Sequence, residues 1–258
     1  MATATTGHCD LKTPVRNRYF YGKLLDVFHF EMEQNYLNAK RWLLNRLVTG
    51  YGVVCGLDVQ PGDDGNSIVV TPGVAIDKCG REIIVTQESR PFTLPAAPAS
   101  PAQPAPTPGG SDKCCDGNWV NLALCFHECY CDPVPAFGGD CDSNPVCASG
   151  AVKEQYEIEW HYGKLDVPNN SSLFADLFTG GRINYTALAN YVSRPCPNLC
   201  DHCCIPLANI KLPDQGAKLE QSGIDIAVRP VVYTNDLLYG LIIAGMNTDQ
   251  TQSRGGKP

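Results

Sequence analysis

From Asp26 to Val48 the chain carries one long helical pattern, and from Gly52 the period shortens to that of β-strands. This change of period constrains the fold more than any other feature of the sequence. Asp26 is placed to cap the helix and Gly50 to stop it. Phe28, Met32, Tyr36, Ala39, Leu43 and Leu47 recur at helical spacing and form one apolar line. Phe30, Leu37 and Leu44 form a second line at heptad spacing, offset from the first. Glu31, Gln34, Asn38, Arg41 and Asn45 fill the polar arc. Two apolar lines fit either one broad core face or a helix that meets its own sheet with one line and a second helix, from another copy of the chain, with the other.

After Gly52, "GVVCGLDV", "SIVVT", "GVAID" and "REIIVT" are β-branched runs separated by "PGDDGN", "PG" and "KCG". They read as a meander of antiparallel strands with the helix packed on one face. Asp77 and Arg81 are spaced to pair across the second tight turn. The expected fold is α+β: a long N-terminal helix packed on antiparallel strands, a Pro-rich linker, and a second β-rich part with short helices. The boundaries read as residues 1–90 for the helix and meander, 91–113 for a Pro/Ala-rich linker or loop, 114–246 for a Cys-rich α+β region, and 247–258 for a flexible tail.

Within the third region, "NWVNLALCFHECY", "VKEQYEIEWHY", "CCIPLANIKL" and "GIDIAVRPVVYT" read as strands, and a cysteine-rich irregular stretch runs to Cys147. "SSLFADLFTGG" and "INYTALANYVSR" read as short helices. "LLYGLIIAGM" is the most apolar stretch and reads as a buried strand or helix.

Charged residues are 18% of the chain and its formal net charge is −7. Scattered Lys and Arg on an acidic chain argue against a nucleic-acid or anionic-membrane surface. A surface poor in charge suits one that partners cover. No stretch has the length of a transmembrane helix, and the first residues lack a secretory pattern. The chain is therefore expected to be cytoplasmic on synthesis.

Fourteen cysteines are many for such a chain. "CPNLCDHCC" places Cys196, Cys200, Cys203 and Cys204 around His202. "CFHECYC" places Cys125, Cys129 and Cys131 around His127. Zinc is held by four thiolate or imidazole ligands, often as two close pairs. Cys200 and Cys203 have the pair spacing, and Cys129 with Cys131, or Cys114 with Cys115, could supply the other. Structural zinc, disulfides formed after release, and unligated thiols all stay open. The sequence contains no HExxH, P-loop or GxSxG, and no paired carboxylates spaced for hydrolysis. "GYGVVCG" follows a helix and enters a strand, the reverse of a dinucleotide fingerprint. Nothing here marks a catalytic residue.

"RYFYGKLL", "EQNY", "NRLVTGYGVVCGLDV" and "VTPGVAIDKCGREIIV", with the later "CFHECYCDPVPAF", "EQYEIEW" and "IPLANIKL…IDIAVRPVV", resemble a family encoded in phage-tail-like gene clusters, the extracellular and related contractile injection systems of bacteria. The resemblance runs from about residue 16 to 240. It implies a non-enzymatic structural subunit at the baseplate or tail end. Its partners would be other particle subunits (baseplate, tube, sheath or cap) and copies of itself. Its place would be in the assembled particle, released from the cell or docked at a membrane through it. No catalytic residues carry over. The Pro-rich linker and "CPNLCDHCC" depart from the shared pattern. Tyr19, Phe20 and Tyr21, with Phe30, Leu37 and Leu44, are the candidate contact residues, since aromatic anchors are typical of interface centres. Two rival classes are a zinc or iron enzyme of redox or hydrolytic type using the cysteine clusters, and a module binding cell-surface glycans.

Overall fold

The computed structural model describes residues 13–95, 118–136, 146–167, 178–179, 182–196, 203–214 and 216–254. Helix α1 spans Val27–Leu44. The Asp26 carboxylate accepts from the His29 backbone N–H, and the His29 ring returns a contact to the Asp26 backbone, so the cap is reciprocal. The helix continues as one wider π turn over Asn45–Thr49 and stops at Gly50, whose φ of +89° an L side chain rarely adopts.

The strands begin where the period changed. β1 (Gly52–Gly56), β4 (Gly73–Ile76) and β5 (Glu82–Val85) form one antiparallel sheet in the order β1-β4-β5. β2 (Val59–Pro61), β3 (Ser67–Val70) and β6 (Phe92–Thr93) form a second, in the order β2-β3-β6. β6 lies inside the Pro-rich stretch that starts at residue 91, and Leu94 beside it is buried in the core. Residues 96–113 lie outside the described ones.

β7 (Trp119–Ala136) and β8 (Val146–Tyr162) make a long hairpin. With β11 (Ile205–Lys211) and β12 (Ile224–Asp225) they form a sheet in the order β12-β11-β7-β8. Only the base of the hairpin is covered. Val120 to Cys125 of β7 are buried without interruption, as expected of a strand packed on both faces. Leu122, Leu124, Ile205, Leu207 and Ile210 share one apolar cluster with Leu57, Val59, Ile68 and Val85 from the meander. Each such side chain contributes about 1.5–3 kcal/mol on burial. The α+β class read from the sequence, helix followed by antiparallel strands, is the fold observed.

Several local expectations are corrected. The stretch from Cys131 to Cys147 is expected to be irregular. Its described part is instead the outer end of the hairpin, paired in register from Cys131↔Ala151 to Ala136↔Val146. Pro133 and Pro135 are tolerated because, among the described residues, β7 there has a neighbour on one flank alone and is an edge strand. "GIDIAVRPVVYT" is not one strand: pairing ends at Asp225, and Val231 makes an isolated parallel bridge to Val53. Phe178 and Thr179, expected in a helix, form β9, which pairs with β10 (Arg182–Ile183). Helix α2 (Tyr185–Val192) falls within its expected segment, capped by Asn184. Leu237 to Met246 belong to helix α3 (Asn235–Arg254), and Leu237 to Ile243 are exposed rather than buried.

Candidate interaction surface

No residue of α1 is buried. Its two apolar lines divide. On the first, Met32, Tyr36 and Leu43 are half-buried, and Pro14 and Val15 of the preceding segment form a shallow groove with Phe28, Met32, Tyr36 and Ala39. On the second, Phe30 is 54% exposed, Leu37 60% and Leu44 59%. Ahead of the helix, Phe20 and Tyr21 are exposed, and the Tyr19 hydroxyl donates to the Glu33 carboxylate. That hydrogen bond is the largest cause raising the Tyr19 phenol above its ordinary range. The aromatic run is thus tied back along the helix, with its rings in solvent.

What seats the helix is its C-terminal end. The Asn45 amide donates to the Gly80 carbonyl and to the Glu82 carboxylate, both at 2.8 Å. Arg41 Nε lies 3.3 Å from the same carboxylate. A β-carbon added at Gly80 would stand 2.1 Å from the Trp42 carbonyl oxygen, so backbone meets backbone there. The turn that receives the helix is built on Asp77, whose carboxylate is buried. It accepts from the N–H groups of Cys79 and Arg81 at 2.8 Å and pairs with Arg81 Nε at 2.7 Å. This is the expected Asp77–Arg81 pair. Burial nevertheless pushes the Asp77 carboxyl up, and Arg81 opposes it. The Arg81 guanidinium also stacks 4.4 Å over the Phe126 ring of β7.

A second apolar surface was missed in the sequence. In α3, Leu238, Leu241 and Ile242 are exposed. Val53 N–H donates to the Pro230 carbonyl and Val232 N–H to the Val53 carbonyl, at 2.9 and 3.0 Å. That bridge roots α3 beside the strand that follows α1. The apolar run was legible, but its direction was not, because the bridge joins segments far apart in sequence.

The cysteines fall into separate groups. Cys125 and Cys204 are bonded across β7 and the entry to β11, with Cα atoms 4.4 Å apart. The Glu159 carboxylate and both these sulfurs lie within 4.8 Å of one another. A disulfide sulfur is not a thiolate, so this trio offers zinc one carboxylate while the bond stands. Cys129 and Cys131 lie on the outer hairpin, and Cys196 is exposed beyond α2. Cys200 lies outside the described residues. Cys203 sits beside Cys79 instead. The Cys79 thiol donates to the Cys203 sulfur, which lowers the Cys203 thiol to about 7 and, with burial, pushes Cys79 up. Among the described residues, then, the candidate ligands Cys129, Cys131, Cys203 and Cys204 do not converge on one point.

No family model and no curated protein matches the chain. Among solved structures, the crystal structure of TssK aligns with 10% sequence identity and a TM-score of 0.36. The alignment covers 83% of this chain and 41% of that one. A likeness so distant carries no argument about function. Among the described residues, no helix is long and apolar enough to cross a membrane.

Proposed function

We propose that this chain is a non-enzymatic structural subunit of a contractile, phage-tail-like injection particle, at its baseplate or tail end. In this reading α1 and the aromatic run before it bind neighbouring subunits. The observation that supports it is the helix itself: 18 residues, none buried, with Phe30, Leu37 and Leu44 facing solvent. A helix in water draws most of its stability from packing an apolar face. Contiguous apolar surface on a folded chain marks an interaction site. The resemblance of the sequence motifs supplies the kind of particle. Interface cores favour aromatic anchors, and repeated copies about a tail axis would make such contacts symmetric.

The test is to purify the chain with the products of its neighbouring genes and image the result by electron microscopy. The expected outcome is density for this chain in an assembled particle, with α1 covered. A chain that stays apart from every tail component overturns the proposal.

A further inference from the structure

We propose that Cys79 and Cys203 form a thiol-oxidation site, which a small-molecule disulfide converts into a cross-link fixing the seat of α1. The two residues lie far apart in sequence and side by side in the fold. Lys78 N–H donates to the Cys203 carbonyl at 3.5 Å, so the turn after β4 runs against the approach to β11. The Cys79 thiol donates to the Cys203 sulfur, so the two sulfurs face each other. Cys79 is 4% exposed, whereas Cys203 is half-buried and within reach of a small reagent.

Accessibility sets the order of steps. The Cys203 thiolate attacks one sulfur of the reagent, the reagent's S–S bond breaks, and one small thiolate leaves. The Cys79 sulfur then attacks Cys203 Sγ, its proton passing to the small thiolate that departs as the second thiol. The two protein thiols are oxidised and the reagent is reduced to two thiols. Cys204 does not intervene. Its sulfur is already bonded to Cys125.

The position gives the bond its effect. The turn holding Cys79 also holds Gly80, whose carbonyl accepts from Asn45 and whose α-carbon abuts Trp42. A Cys79–Cys203 bond would tie that turn to β11 and hold the root of α1. The bond stands independently of the assembly reading; its consequence for partner binding rests on it.

The full chain, with the Cys125–Cys204 bond intact, is treated with oxidised glutathione, alkylated and peptide-mapped. The expected result is a linked Cys79–Cys203 peptide, with both thiols lost to alkylation. In Cys79→Ser, glutathione should stay on Cys203. In Cys203→Ser, Cys79 should stay unreacted until the chain is unfolded. Hydrogen exchange at residues 42–49 and 77–82 should slow on oxidation of the wild type and not of Cys79→Ser. Alkylation of both cysteines after the exposed thiols have reacted, or no glutathione on Cys203 in Cys79→Ser, overturns the site. A linked peptide with unchanged exchange overturns the clamp and leaves the assembly reading standing.

Discussion

The Asn45 side chain donates one hydrogen to the Gly80 carbonyl and the other to Glu82, each at 2.8 Å, and so fastens the foot of α1 to the turn leading into β5. Both contacts are half-buried, and each is worth about 0.5–1.5 kcal/mol net. Asn45→Ala should therefore lower stability by roughly 1–3 kcal/mol and speed amide exchange in α1 more than in the β sheets. Urea unfolding and hydrogen exchange on one sample measure both. A variant with wild-type exchange in α1 would show that the helix is held by something else.

Two glycines with nearly equal torsions separate strain from contact. Gly22 has φ +85° and nothing near a added β-carbon, while Gly80 has φ +89° and the Trp42 carbonyl 2.1 Å away. Gly22→Ala should cost about 1–2 kcal/mol, the penalty of a left-handed backbone. Gly80→Ala should cost clearly more and detach the helix root, because neither backbone can yield. Thermal unfolding of the pair decides; equal losses would mean that the close approach does not exist in solution.

Much of this architecture is legible in the sequence. Asp26, the two apolar lines and Gly50 define α1, and the Gly/Pro/Asp punctuation defines β1, β3, β4 and β5, because helix caps and turns are local chemistry. The run from Gly52 to Val59 instead breaks at Leu57, whose φ is +56°, and Val59 starts β2. What was not legible depends on distant partners. Whether Leu37 faces a sheet or solvent is decided by where Gly80 receives Trp42, which no local pattern encodes. The same holds for Cys204, grouped by spacing with Cys200 and Cys203 but bonded to Cys125. It holds too for the β-rich run after Gly223, where strand pairing ends at Asp225 and returns as an isolated bridge at Val231. Of the candidate contact residues, Phe20, Tyr21, Phe30, Leu37 and Leu44 are all exposed. The candidate zinc ligands rest on spacing alone, and spacing does not reveal on which strand face a thiol lies.

The helix cap should respond to acid. The His29 side chain, by its hydrogen bond, is the largest cause holding the Asp26 carboxyl below its ordinary range, followed among the favourable causes by the His29 backbone N–H. A carboxylate lowered in the folded state contributes stability that is present above its unfolded pKa and is lost as pH falls through the folded value. Fraying of the first turn of α1 should therefore grow as pH drops below about 4. In Asp26→Asn, which can cap without titrating, it should not. Amide exchange of residues 27–30 against pH reads the difference, and identical profiles would remove Asp26 from the cap.

The Cys125–Cys204 bond closes a long loop, with a sequence separation of 79. Cross-links of this kind typically contribute about 2–4 kcal/mol. The double variant Cys125→Ser with Cys204→Ser should lose stability of that order in urea unfolding. It should also leave the shape of the far-ultraviolet spectrum unchanged, since β7 and β11 remain paired through backbone. An unchanged unfolding midpoint would mean that the bond does not form in the protein as purified.

The claim on which the functional account rests is that the outward line of α1 is covered by other subunits. Leu37→Glu with Leu44→Glu places two charges on that line, at positions already in solvent in the single chain. Co-sedimentation of the double variant with assembled particles, beside its own unfolding curve, tests the claim most directly. The account expects a wild-type unfolding midpoint and loss of the chain from the particle pellet. A double variant that pellets with particles as the wild type does would contradict it.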